Sequence, residues 1–221
     1  MTLAEPNFAA ARRHMVLSQL RPNKVTDERV VSAIDAVPRE LFVPAAFRGV
    51  AYMDDDVSIG SGRYLMEPMV FARLLQFADI GPSDRVLEIG SGTGYGAAVL
   101  SHLCSDVTAL ESDPSLARSA EQLLPPLAAG RVALVKGDLT AGAPGKGPFD
   151  VILLAGAIEQ LPPAIGAQLA TGGRILGVIR ERGIGRASMW QRAGSLLARR
   201  SLFDAATPLL PGFGIATGFT F

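Results

Sequence analysis

Three carboxylates and a run of glycines carry the chemistry in this chain. The segment "DRVLEIGSGTGYGAAVL" (84–100) is apolar but interrupted by Gly90, Gly92, Gly94 and Gly96. A turn with so few side chains leaves its backbone free to approach a ligand closely. Glu88 stands just before the first glycine, Glu111 follows Gly90 by 21 residues, and Asp138 closes "VKGD". Gly92-x-Gly94-x-x-Ala97 satisfies a relaxed dinucleotide-binding spacing, which by itself is a weak signal. The charge at Glu88 argues against a pyrophosphate and for a cationic ligand. Glu111 is placed to hold ribose hydroxyls, and Asp138 to accept a hydrogen bond from an adenine amino group. S-adenosylmethionine has the ribose, the adenine and the positive centres, and no phosphate. The expected cofactor-binding set is Glu88, Gly90, Ser91, Gly92, Gly94, Tyr95, Glu111, Ser112, Asp138 and Leu139.

These residues need strands to bring them together, and the rhythm of the chain supplies them. From residue 85, "RVLEIG", "DVTALES", "VALVKGD", "FDVILLAGA" and "GRILGVI" read as strands, separated by the helical stretches "YGAAVLSHLC", "PSLARSAEQLL" and "PPAIGAQLA". Alternation of this kind gives a mostly parallel sheet covered on both faces. Ligands bind such sheets at the carboxyl ends of the strands, where the glycine loop falls. The expected fold class is α/β, a Rossmann-like three-layer sandwich with a seven-stranded sheet. Upstream, 8–20 and 26–37 have helical spacing, with Thr26 and Arg29 as a weak cap. Residues 37–47 read as a short helix between prolines, 52–68 as a loop, and 68–79 as a helix opened by Pro68.

Composition narrows the classes. Twenty-one basic residues balance 21 acidic ones, so no global field favours nucleic acid or an anionic membrane. A single cysteine, Cys104, excludes an internal disulfide and fits a reducing compartment. The N-terminus lacks the apolar stretch of a signal peptide, and the uncharged stretches 89–105 and 205–221 fall short of a membrane span. The expectation is a cytoplasmic protein of one domain over 1–221: a helical cover and substrate loop (1–80), a cofactor-binding core (81–180) and C-terminal strands (181–221). No metal site is expected; Asp54 to Asp56 read as a solvated turn, and His14 and His102 as ordinary core or surface histidines.

The motifs also carry a resemblance. "VLEIGSGTGYGAAVL" is similar to the first motif of the protein-L-isoaspartate O-methyltransferase family. "VPRELFVP" (37–44), "AYMDDDVSIGSG" (51–62), "GD" (137–138), "FDVILLAGA" (149–157) and "QLATGGRI" (168–175) follow in that family's order and spacing. The resemblance covers roughly residues 12–180. It implies a methyltransferase that uses S-adenosylmethionine, whose N-terminal helices close over the site. It also implies a carboxylate on a protein or peptide as methyl acceptor, in the repair of damaged proteins.

The chain departs from the family at the acceptor side. After "IGSG" the family typically has Gln-Thr-Ile-Ser-Gln-Pro, with hydroxyls that hold the acceptor carboxylate. Here the six residues are "RYLMEP" (63–68), and Leu139 stands where a glycine usually follows the aspartate. No catalytic residue can be named from this pattern; the candidates for the substrate wall are Ile59, Gly60, Tyr64, Met66 and Glu67. Met66 offers no donor where a hydroxyl should be, and Glu67, if it faces the pocket, adds like-charge repulsion, so the substitutions predict slow isoaspartyl transfer beside an untouched glycine loop. Alternative acceptors are RNA, met by seven arginines at 174, 180, 182, 186, 192, 199 and 200, or a small molecule. A cofactor-binding protein without transfer activity is the third reading, and a monomer is the family-level expectation.

Overall fold

The computed structural model describes residues 7–194 and 196–215. Helix α1 (Phe8–Met15) runs into a wider π turn at Val16–Leu20, and α2 spans Glu28–Ala36. Asp27, rather than Thr26, caps α2 by accepting from the Arg29 amide at 2.8 Å. Two 3₁₀ turns, Arg39–Phe42 and Ala45–Val50, follow in place of one short helix.

The stretch expected to be a loop contains an antiparallel hairpin, β1 (Val57–Gly60) and β2 (Arg63–Leu65). Its turn holds Gly60, Ser61 and Gly62 at φ of 96°, 52° and 68°. Three consecutive left-handed residues explain the two glycines there. Helix α3 (Pro68–Ala78) begins on its proline as expected.

The main sheet contains β3 (Arg85–Ile89), β4 (Asp106–Glu111), β5 (Arg131–Lys136), β6 (Phe149–Ile158), β7 (Leu169–Glu181), β8 (Ile184–Ala193) and β9 (Leu196–Asp204). Their order is β5-β4-β3-β6-β7-β8-β9. The five strands from β5 to β7 are parallel, whereas β8 and β9 return antiparallel. The seven-stranded, mostly parallel sheet inferred from the alternation is therefore present. Helices α4 (Tyr95–Ser101), α5 (Pro114–Leu127) and α6 (Pro163–Ala167) connect the strands.

Alternation along the strands assigns each side chain to a face. Val86, Val151 and Leu153 pack in the core shared with α2 to α5, while Leu87, Ile89, Ile152 and Leu154 join Ile165 of α6, Trp190, Leu210 and Phe213 on the other side. Both faces are covered, which is why these strands read as nearly continuous apolar runs. The chain leaves β3 towards β4 on one side, and β6 lies on its other side, so the carboxyl end of β3 is a topological switch point. Among the described residues, no helix is long and apolar enough to cross a membrane.

Candidate active site

The glycine loop leaves β3 with Gly90, Gly92 and Gly94 at φ of 84°, 58° and 98°. The hairpin lies over it. Ile59 Cδ1 is 2.5 Å from the position a Cβ on Gly92 would take, so a side chain there would collide. Thr93 ties the loop to the cover by donating to the Phe42 carbonyl at 2.6 Å. Arg39 ties the cover to the hairpin: Nε donates to the Ala51 carbonyl at 2.7 Å and Nη2 to that of Met66 at 2.8 Å. Its guanidinium also lies 5.0 Å from the centre of the Tyr95 ring, a cation–π distance.

Between loop and hairpin is a small enclosed cavity of about 20 Å³, room for one water rather than a cofactor. Its lining includes Ile59, Tyr64 and Met66 from the expected substrate wall and Glu88, Gly90, Ser91, Gly92 and Tyr95 from the expected cofactor set. Arg39 and Ala155 line it too. The Glu88 Oε2, Ser91 Oγ and Arg39 Nη1 atoms are buried without a hydrogen-bond partner. Buried polar atoms are rarely left unsatisfied. Three around one cavity mark a place built to receive polar groups. Burial, reinforced by the nearby Glu111 charge, pushes the Glu88 carboxyl up to about 8.

Glu111 is fully buried at the end of β4, and its carboxylate is already satisfied. Oε2 accepts from the Gly92 amide at 2.6 Å, and Oε1 from the Ser112 and Asp113 amides at 2.8 and 2.9 Å. A further donor comes from the hairpin. Arg63 Nη1 reaches Oε1 at 2.7 Å, and Nη2 reaches the Gly90 carbonyl at the same distance. The glycine loop is thus not untouched by the "RYLMEP" replacement, contrary to the sequence expectation.

Other expected residues lie further out. Gly94 is the N-cap of α4. Ser112 is exposed, Leu139 is buried under the β5 end, and Asp138 is exposed and accepts from Thr140 N at 2.9 Å. Gly60 is at the exposed hairpin turn. Glu67 belongs to a different surface, beside Asp55 and Asp56, and is absent from the cavity lining. The like-charge repulsion that Glu67 would impose on an acceptor carboxylate therefore has no basis in the geometry. Arg39 and Arg63 were missed as site residues. "VPRELFVP" contains the first, and the second is the first departure after "IGSG", but neither long side chain reveals its target from sequence.

Comparison with known proteins agrees with this architecture. Residues 11–198 match the family described as protein-L-isoaspartate(D-aspartate) O-methyltransferase. The chain is 41% identical over 169 residues to the protein-L-isoaspartate O-methyltransferase of Koribacter versatilis, covering 76% of each sequence. It is 36% identical to that of Roseiflexus castenholzii over 212 residues, covering 96% of this chain and 97% of the relative. Among solved structures, a protein-L-isoaspartate O-methyltransferase superposes with a TM-score of 0.78 at 24% identity, over 91% of this chain and 66% of that one. A Plasmodium falciparum structure described as a protein of the same kind, in complex with S-adenosyl-L-homocysteine, gives 0.74 at 19% identity, over 92% and 98%. On a match that runs through the cover, the hairpin and the sheet, this chain belongs to the protein-L-isoaspartate O-methyltransferase family.

Proposed function

We infer that this chain is a methyltransferase that moves a methyl group from S-adenosylmethionine to a carboxylate of a protein or peptide. The observation that carries the reading is the convergence of Glu88 Oε2, Ser91 Oγ and Arg39 Nη1, all unpartnered, on residues lining one cavity at the switch point. Bound S-adenosylmethionine supplies a methyl group on a cationic sulfur. Glu88 and Ser91 offer acceptors to a cationic ligand beside the glycine loop, and Glu111 is the ribose carboxylate at the next strand end. Exposed Asp138 is assigned to the adenine edge. These groups fit the cofactor by charge, with two cations nearby, Arg63 on Glu111 and Arg39 in the cavity lining.

On the acceptor side no general base is required. A carboxylate with a pKa of about 4 is ionised at neutral pH, so the chain must align it and exclude water. Met66, buried in the wall, provides no hydroxyl for alignment. Arg39 Nη1 is the buried cationic donor available on that side, and it compensates in part for the missing hydroxyl. RNA is less well supported as acceptor. Five of the seven late arginines are already engaged: Arg174 with Asp84, Arg180 with Glu159, Arg186 with Asp204, Arg192 with the Gly166 carbonyl and Arg199 with Glu181.

The test is transfer of labelled methyl from S-adenosylmethionine to an isoaspartyl peptide, with the aspartyl peptide as control. A base-labile ester on the isoaspartyl peptide alone is expected, at a low rate in the wild type. Met66→Ser should raise that rate by about tenfold, the equivalent of restoring one hydrogen bond worth ~1.4 kcal/mol in the transition state. Labelling of neither peptide by wild type or variant would move the acceptor outside this class.

A further inference from the structure

We propose that Arg63 is a built-in occupant of the ribose subsite, a tethered cation that S-adenosylmethionine must displace from Glu111 before it can bind. The inference rests on the assignment of Glu111 to the cofactor ribose made above.

Hydrogen-bond capacity decides the matter first. An ionised carboxylate offers about four acceptor positions. On Glu111, Oε1 takes the Ser112 and Asp113 amides, Arg63 Nη1 at 2.7 Å and the Ser112 hydroxyl at 3.4 Å, whereas Oε2 takes the Gly92 amide alone. A ribose diol therefore cannot engage both carboxylate oxygens until the guanidinium leaves Oε1. Space gives the same answer. A Cβ placed on Gly90 would lie 2.7 Å from both Arg63 Nη2 and Leu210 Cδ2, so the guanidinium shares with that methyl the gap that the absent side chain of this glycine opens. The two side chains are only 3% and 0% exposed, so this is a buried pair and not a surface contact. The cavity that Arg63 itself lines, with Tyr64, Gly156 and Leu210, is about 10 Å³, far below the several hundred Å³ of a cofactor-sized site.

The plug is also able to leave. It sits on a hairpin of three paired positions whose turn is exposed at Gly60, Ser61 and Gly62. An element with three paired positions has fewer backbone bonds to break than the sheet, although Val57, Ile59 and Leu65 anchor it in the core. When Arg63 withdraws, Glu111 keeps its three backbone donors, so the charge is not abandoned. For a protein whose binding-competent form is a minor fraction, the apparent affinity is reduced by that fraction. Arg63 thereby sets a threshold of cofactor concentration below which the enzyme stays shut.

The experiment is titration calorimetry of S-adenosylhomocysteine into the wild type, Arg63→Gln and Arg63→Met, with thermal melts to establish that each variant is folded. The proposal expects both variants to bind at least tenfold more tightly than the wild type. Gln and Met share no donor chemistry, so a common gain cannot come from a new contact. In the wild type alone, ligand should increase hydrogen exchange at the amides of 63–65 while protecting 90–96. Equal or weaker binding by the variants, or ligand protection of the hairpin together with the loop, overturns the plug and leaves the cofactor assignment standing. Failure of all three proteins to bind overturns both.

Discussion

Two neighbouring strand ends of the same sheet hold buried glutamates in opposite conditions. At the end of β4, both oxygens of Glu111 have donors: the Ser112 and Asp113 amides, the Ser112 hydroxyl and the Arg63 guanidinium on Oε1, and the Gly92 amide on Oε2. Near the end of β3, Glu88 is 1% exposed and has one oxygen with no partner at all. The first is a carboxylate with the Arg63 guanidinium 2.7 Å away. The second is a carboxyl that burial drives towards its neutral form. The contrast makes the two ends of the proposed cofactor site unequally ready. On the proposed assignment, Glu88 keeps one oxygen for the ligand's cationic groups, whereas Glu111, proposed for the ribose, is held by the protein's own cation.

Glu111→Ala is the most drastic way to break this comparison. It strands the buried Arg63 charge and removes the acceptor of three loop amides. Removing one partner of a buried pair costs ~3–5 kcal/mol. Urea unfolding should register a loss of that size, and S-adenosylhomocysteine binding should vanish in calorimetry. A loss under about 1 kcal/mol would mean that the pair is not held as tightly as its burial indicates.

Glu88 sharpens the comparison through pH. Its carboxyl is raised from a usual value near 4.5 to about 8, so the folded state prefers the protonated form. Such a group leaves stability intact below the unfolded value and costs stability as pH rises from about 4.5 to about 8, after which the cost is constant. Glu88→Gln should flatten this slope and be the more stable protein at pH 8.5, by up to a few kcal/mol at ~1.4 kcal/mol per pH unit of displacement. Binding of cationic S-adenosylmethionine at pH 7 should ionise Glu88 and release a proton. Calorimetry in buffers of different ionisation enthalpy measures that release, and Glu88→Gln should abolish it. An unchanged proton count in the variant would assign the charge partner elsewhere.

These two carboxylates were legible in the sequence, and the residues that distinguish them were not. Glu88 and Glu111 close strands whose apolar runs are long enough to identify, and the parallel alternation brings successive strand ends to one edge. Asp138 follows the same logic. The hairpin escaped because β2 has three residues of mixed exposure, "RYL", with no run long enough to show a period. Arg63 acts on a residue 48 positions away, and Arg39 on a carbonyl 27 positions away, through long flexible side chains. Such contacts depend on how the cover docks on the sheet, which no local pattern encodes. The change at Asp27, one residue from the expected cap, is a smaller failure of the same kind: several Asx and Thr residues could cap α2, and packing of the turn selects one.

Glu67 gives the smallest effect and tests whether the wall was assigned to the right residues. Its side chain is half-buried among acids, and burial followed by the Asp54, Asp56 and Asp55 charges raises it from near 4.5 to about 7. The sign is that of Glu88: stability is lost as pH climbs from about 4.5 to about 7 and is level above. Partial exposure to solvent screens the cost, so Glu67→Gln should stabilise the protein at pH 8 by no more than about 1 kcal/mol and have no effect at pH 4. Since Glu67 borders Asp55 and Asp56 rather than the cavity, methyl transfer by Glu67→Gln should equal that of the wild type, unlike the gain expected from Met66→Ser one position earlier. Thermal melts at the two pH values and the labelled-methyl assay measure the two effects separately. A rate gain in Glu67→Gln as large as that of Met66→Ser would place Glu67 in the acceptor wall after all, and would return like-charge repulsion to the explanation of slow transfer.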